Sequence, residues 1–225
     1  GVSEVPSFDF SKGFVYIESG TINIQICKGD GMQVDSFVYI AGGDINIETI
    51  ATWEPFEATS NGMNGCFSKS GNTYQKVPSD NVRRGNTYYI LSSSCKGIKV
   101  GEIDYFLKDD ETETKQIVSS SSCTILIEGG TIEINSPDDS IHSNSGNSFI
   151  YGGKIMLSTL DDGISADLNL IVKNGEIDIK SCFEGLEAQI VEIEGGNIKI
   201  IADDDGINAA GGRDCQIIFS GGKTY

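Results

Sequence analysis

Asp161-Asp162-Gly163-Ile164-Ser165-Ala166 is one of four versions of a single pattern. The others are Asp138-Asp139-Ser140-Ile141-His142-Ser143, Phe183-Glu184-Gly185-Leu186-Glu187-Ala188 and Asp204-Asp205-Gly206-Ile207-Asn208-Ala209. The apolar residue fixes the register: Ile141, Ile164, Leu186 and Ile207 stand 23, 22 and 21 residues apart. A period of about 22 residues with short strands marks a solenoid, whose units stack because none buries its apolar face alone.

The rest of each unit keeps this register. Ile132, Ile155, Ile177 and Ile198 come nine residues earlier, each two residues after a glycine: Gly130, Gly153, Gly175 and Gly196. Ile127, Ile150, Val172 and Ile193 form a third apolar column five residues further back. Apolar and polar residues alternate, as in Ile132-Glu133-Ile134, which is the strand period. The repeated glycine marks a sharp corner with positive φ. Each coil therefore reads as strand, glycine corner, strand, acidic turn and short strand. The fold class is all-β, a parallel β-helix.

The pattern also runs backwards. Val15, Ile17, Gly20, Ile22 and Ile24 lead to the turn Asp30-Gly31-Met32-Gln33-Val34. Val38, Ile40, Gly43, Ile45 and Ile47 start a second coil, whose turn is delayed to Cys95-Lys96-Gly97-Ile98-Lys99-Val100. Two insertions, about 52–94 and 101–121, interrupt the repeat. Stretches that long without regular structure are uncommon unless functional or disordered. Residues 1–225 thus read as one solenoid domain, with Phe8 and Phe10 capping the first coil. Gly221 to Tyr225 matches the first half of a coil, Gly152 to Met156, so further coils are expected to follow. Seven to eight coils about 4.8 Å apart would make a rod of about 35 Å.

The formal charge of −17 argues against a nucleic-acid partner, which demands Lys and Arg. It suits divalent cations and solubility. No run of 18 apolar residues offers a membrane span. Six cysteines admit three disulfides in an oxidising compartment, or none. A single histidine, His142, and no C-x-x-C pair argue against zinc.

Two residues before the apolar turn position the side chain is acidic in five coils: Asp30, Asp139, Asp162, Glu184 and Asp205. Asp138, Asp161 and Asp204 precede three of them, and Asp167 and Glu187 follow the turn closely. Stacking puts these carboxylates in a column, where like charges repel and pKa values rise. Ca²⁺, with six to eight oxygens at about 2.3–2.6 Å, resolves the repulsion. The plainer alternative is turn chemistry, with Asp bonding its own backbone and Gly taking φ > 0. Repetition in register favours calcium.

The four turns, with Ser11-Lys12-Gly13-Phe14, Gly29-Asp30-Gly31-Met32-Gln33-Val34 and Lys96-Gly97-Ile98-Lys99, resemble the carbohydrate-binding β-helix domain of clostridial and related surface proteins. That family is structurally akin to polysaccharide lyases. The resemblance covers most of the chain outside the two insertions. It implies a right-handed parallel β-helix, bound calcium, a secreted or cell-surface location, and binding of cellulose or acidic sugars such as pectin fragments. Val34 and Val100 stand where the family has alanine, and Cys95 and Cys182 occupy unusual turn positions.

Three functions follow. A non-catalytic module would bridge uronates through calcium, or stack neutral glucans on Trp53, Tyr74, Tyr88 and Tyr89, the only concentrated aromatics in the sequence. Those rings alternatively bury one another in the insertion. A lyase would need a base near calcium, with Lys96 and Lys99 the best candidates. A structural protein would associate end to end through open strand edges. His142, beside Asp139, reads as an ordinary solvated residue.

Overall fold

The computed structural model describes residues 13–101 and 123–225. The stretch with Phe8, Phe10, Ser11 and Lys12, and the second insertion beyond Gly101, lie outside the described residues.

The first coil comprises β1 (Phe14–Ile17), β2 (Thr21–Cys27) and β3 (Met32–Val34). The second has β4 (Phe37–Ile40) and β5 (Asp44–Thr49). Before it closes, the chain makes β6 (Trp53–Glu57), β7 (Phe67–Ser70), β8 (Thr73–Lys76) and β9 (Thr87–Leu91), then returns to β10 (Ile98–Val100). The third coil is β11 (Thr124–Ile127), β12 (Thr131–Ser136) and β13 (Ile141–Ser143). Next come β14 (Asn147–Ile150), β15 (Lys154–Thr159), β16 (Ile164–Val172), β17 (Glu176–Cys182), β18 (Leu186–Ile193) and β19 (Asn197–Ala202). The chain finishes with β20 (Ile207–Ala209), β21 (Gln216–Phe219) and β22 (Lys223–Thr224). Strands β16 and β18 are long because each closes one coil and opens the next, with a bulge between Ala166 and Asn169.

All solenoid strands pair in parallel, in three columns. The apolar registers hold. Ile17, Ile40, Ile127, Ile150, Val172 and Ile193 form one column. Ile45, Ile132, Ile155, Ile177 and Ile198 form the second, and Ile98, Ile141, Ile164, Leu186 and Ile207 the third. They make one continuous core. Val100 pairs with Val34 and Ser143 and is buried, so valine simply fills a core position there.

The two glycine types differ. Gly175, at the corner between the first and second columns, takes φ +116°. The turn glycines Gly163 and Gly185 have no positive φ, contrary to the turn-chemistry expectation. They are small because the coils touch there: a Cβ on Gly185 would lie 2.3 Å from Gly206 O and 2.6 Å from Ile200 Cγ2. Ser140 holds the position in the third coil, buried, with its hydroxyl against Ser136. Overpacking of this kind costs about 1–3 kcal/mol. Gly185→Ala is therefore expected to lower the melting temperature by about 2–10 °C in a thermal scan.

The first insertion is neither loop nor disorder. Strands β6, β9, β7 and β8 form an antiparallel sheet. The β7–β8 hairpin turns on Gly71-Asn72, with Gly71 at φ +61°. Ala58, Cys66, Val82 and Tyr88 give this sheet its own small core.

Candidate functional site

The acidic turn is the corner between the second and third columns. In register its key positions are Asp30, Lys96, Asp139, Asp162, Glu184 and Asp205. Lys96, between Asp30 and Asp139, is the exception, and the column differs towards its two ends.

On one side the chain supplies its own cations. Lys96 Nζ lies 2.7 Å from both Asp138 Oδ1 and Asp139 Oδ2. Its backbone N–H donates to Asp30 Oδ1 at 2.9 Å, as does Ser94 Oγ at 2.5 Å. Lys99 faces Asp30 at 3.6 Å. Burial alone would lower the Lys96 pKa, but Asp139 and Asp138 hold it well above the ordinary lysine value. Burial alone would raise Asp139, but Lys96 and His142 hold it well below the usual carboxylate range. His142 Nδ1 is 3.0 Å from Asp139 Oδ2, and Nε2 is 2.6 Å from Asn144 Oδ1. The Asn144 amide nitrogen donates to Gly101 O at 2.8 Å, which fixes its orientation. His142 is thus tied into the column, not merely solvated. Ser165 Oγ meets the same Nδ1 at 2.5 Å, so aspartate and serine share one ring nitrogen. A serine–histidine–aspartate relay needs them on opposite nitrogens. Asp161 is paired with Lys76, reaching over from β8.

On the other side no ion pair among the described residues reaches Asp162, Glu184 or Glu187, although the charge of Lys76 acts on Asp162 and Glu184. Asp162, Glu184 and Glu187 bring one oxygen each within 4.8 Å of one another. Asp162 is 7 % exposed and its Oδ1 has no hydrogen-bond partner among the described residues. Burial, reinforced by Asp139, pushes Asp162 up to about 9. Burial, with Glu187 beside it, pushes Glu184 up to about 7, although Asn208 Nδ2 donates to Glu184 Oε2 at 2.9 Å. An open groove of about 660 Å³ passes Asp162, Glu187, His142, Ser165 and Gln189. Of the other expected ligands, Asp167 is exposed and accepts the Ser145 N–H at 2.6 Å. Asp204 and Asp205 are exposed in the next turn.

The aromatic set splits. Trp53 stacks on Tyr74 with centroids 4.0 Å apart, and Tyr89 meets Tyr74 edge-on at 5.3 Å. Trp53 and Tyr74 line an open cleft of about 380 Å³ with Asn72, Asn135, Pro137 and Leu160. Tyr88 points the other way, into the insertion's core, and its hydroxyl accepts the Arg83 N–H at 3.0 Å. It belongs to no exposed platform. Sequence reasoning also missed a second aromatic group. Tyr16 and Tyr39 lie 5.1 Å apart on the first column, and Phe149 and Tyr151 lie 6.1 Å apart three coils on. The register that aligned the isoleucines aligns Tyr16, Tyr39, Leu126 and Phe149 as well.

The two lysines considered as bases serve as counter-ions to Asp30, Asp138 and Asp139. Of the two alternatives that the six cysteines left open, three disulfides or none, the described residues show no disulfide. Cys27, Cys66, Cys95, Cys182 and Cys215 carry free thiols. Burial pushes Cys95 and Cys182 up to about 12. No helix among the described residues is long and apolar enough to cross a membrane.

Fold and site together define a parallel β-solenoid with a stacked acidic face. Residues 3–163 match the family described as carbohydrate-binding domain-containing protein. The chain belongs to that family, and family and β-solenoid fold together support a carbohydrate-binding role. No curated protein and no solved structure matches it.

Proposed function

We propose that the protein binds acidic polysaccharide through a divalent cation held by Asp162, Glu184 and Glu187. Asp162 carries this reading: a carboxylate sequestered from water, with one oxygen unpartnered, beside two further carboxylates. Such a group stays protonated or takes a cation. An all-oxygen donor set suits Ca²⁺. Calcium there would supply positive charge for a sugar carboxylate, which this acidic face would otherwise repel. The groove beside it, lined by Ser165 and Gln189, offers hydroxyl and amide partners to the sugar. Secretion or display at the cell surface, where free calcium is plentiful, completes the proposal.

The test is calorimetry on metal-stripped protein, followed by retention on polygalacturonate with and without chelator. Calcium at about 100 times its dissociation constant adds about 2.7 kcal/mol. That corresponds to a rise of about 5–10 °C in melting temperature. Retention should vanish with chelator. A chelator-insensitive protein held by cellulose, and released by Trp53→Ala, would favour the second reading. That reading rests on the Trp53–Tyr74 cleft and a neutral glucan.

A further inference from the structure

Among the described residues, Lys76 is the one ammonium that reaches the acidic column from outside the solenoid repeat. It pairs with Asp161, and its Nζ sits 4.8 Å from the centroid of the Phe183 ring. Asp161 and Phe183 are the immediate chain neighbours of Asp162 and Glu184. Lys76 therefore lines both the 660 Å³ groove and an outer cleft of about 430 Å³ that includes Glu184 and Glu187. Next to it, Gln75 Nε2 donates to Asp203 Oδ2 at 3.2 Å. Strand β8 is thus fastened across the turns of three successive coils.

Strand β8 also carries Tyr74, two residues from Lys76. Side chains two apart on a strand share a face. One face of β8 therefore presents an aromatic ring to the cleft with Trp53 and Leu160, and an ammonium to the acidic turns.

We infer that Lys76 is a built-in competitor of the cation and couples the ion site to the aromatic cleft. The inference rests on the cation site proposed above. In the ion-free protein the Lys76 ammonium partly offsets the charge of the cluster. A divalent ion among Asp162, Glu184 and Glu187 brings two positive charges next to that ammonium, in a partly buried setting where charges are weakly screened. The ion weakens the fastening of β8, and Tyr74 moves with it. By linkage, a ligand that displaces β8 from the cleft strengthens ion binding to the same degree.

The chain has one tryptophan, Trp53, which stacks on Tyr74, so its fluorescence reports this strand. The experiment titrates Ca²⁺ into the metal-stripped wild type, Lys76→Met and Lys76→Arg, following heat and Trp53 emission together. Methionine keeps an unbranched apolar stem of similar length but lacks the ammonium that lies over Phe183. Lys76→Met is expected to bind Ca²⁺ about tenfold more tightly than wild type, and Lys76→Arg within about twofold of wild type. Ca²⁺ is expected to shift Trp53 emission in wild type and Lys76→Arg. In Lys76→Met the emission should already match the ion-bound wild type. Equal affinity in wild type and Lys76→Met, or an emission unmoved by Ca²⁺ in wild type, overturns the coupling and leaves the ion site intact. Heat from none of the three proteins overturns the ion site, and the competition with it.

Discussion

Lys96→Met is expected to lower the melting temperature by about 10 °C at pH 7. The substitution keeps an unbranched apolar stem and removes the charged ammonium. Asp138 and Asp139 are then left side by side, 7 % and 4 % exposed, without the ammonium 2.7 Å from each. Breaking a buried ion pair by deleting one partner costs about 3–5 kcal/mol, because the other charge stays buried and uncompensated. In a chain of this size each kcal/mol moves the midpoint by about 2–4 °C. The melt belongs in chelator, since Asp138, Asp139 and Asp161 lie close enough to take a cation once Lys96 is gone. Adding Asp139→Asn to Lys96→Met should recover part of the loss, which a side chain that merely packs would not allow. A loss below about 1 kcal/mol in the single variant would show that Lys96 is not the counter-ion holding this rung.

This rung shows where sequence reasoning stops. The register is legible because the solenoid repeats it: Ile98, Ile141, Ile164 and Leu186 sit one coil apart, and each coil repeats the glycine corner. Placing Lys96 in the acidic column was equally legible. What a lysine does there was not, because five acidic rungs suggested a uniform metal ladder. Its ammonium bridges Asp138 and Asp139, so that half of the column carries a counter-charge of its own. Lys76 was hidden for a different reason. It is 85 residues from Asp161 in the chain and lies on a strand outside the repeat, so no periodicity links them. The insertion itself carried local signals. Ser70-Gly71-Asn72-Thr73 is a two-residue hairpin turn, and Thr87-Tyr88-Tyr89-Ile90-Leu91 is rich in strand formers. Its contact with the solenoid carried none. Tyr88 and Tyr89 show the cost of treating adjacent aromatics as one patch, since neighbours on a strand face opposite ways.

Without a cation the protein is expected to be most stable near pH 5 and to lose stability as pH rises towards 9. Asp162 and Glu184 have folded-state values pushed up to about 9 and about 7 by burial and neighbouring carboxylates. Unfolded, they titrate near ordinary carboxylate values of about 4. Between those limits the folded state holds more protons than the unfolded state. The slope of stability with pH is then negative. Asp139 acts in the opposite sense. Lys96 and His142 hold it well below the usual range, so its contribution is present above about pH 4 and lost as pH falls further. Melts of metal-stripped wild type at pH 5, 7 and 9 should show a midpoint falling by about 5–10 °C, an interval worth about 2–3 kcal/mol. Asp162→Asn removes the larger of the two carboxylate contributions and should flatten most of the fall between pH 5 and 8, above which the raised Cys95 and Cys182 thiols add to it. Calcium should do so too, since it binds the ionised carboxylates and therefore binds more tightly as pH rises. A wild-type midpoint that stays level from pH 5 to 9 in the absence of metal would mean that Asp162 ionises freely. The cluster would then be an ordinary hydrated acidic surface with no need of a cation.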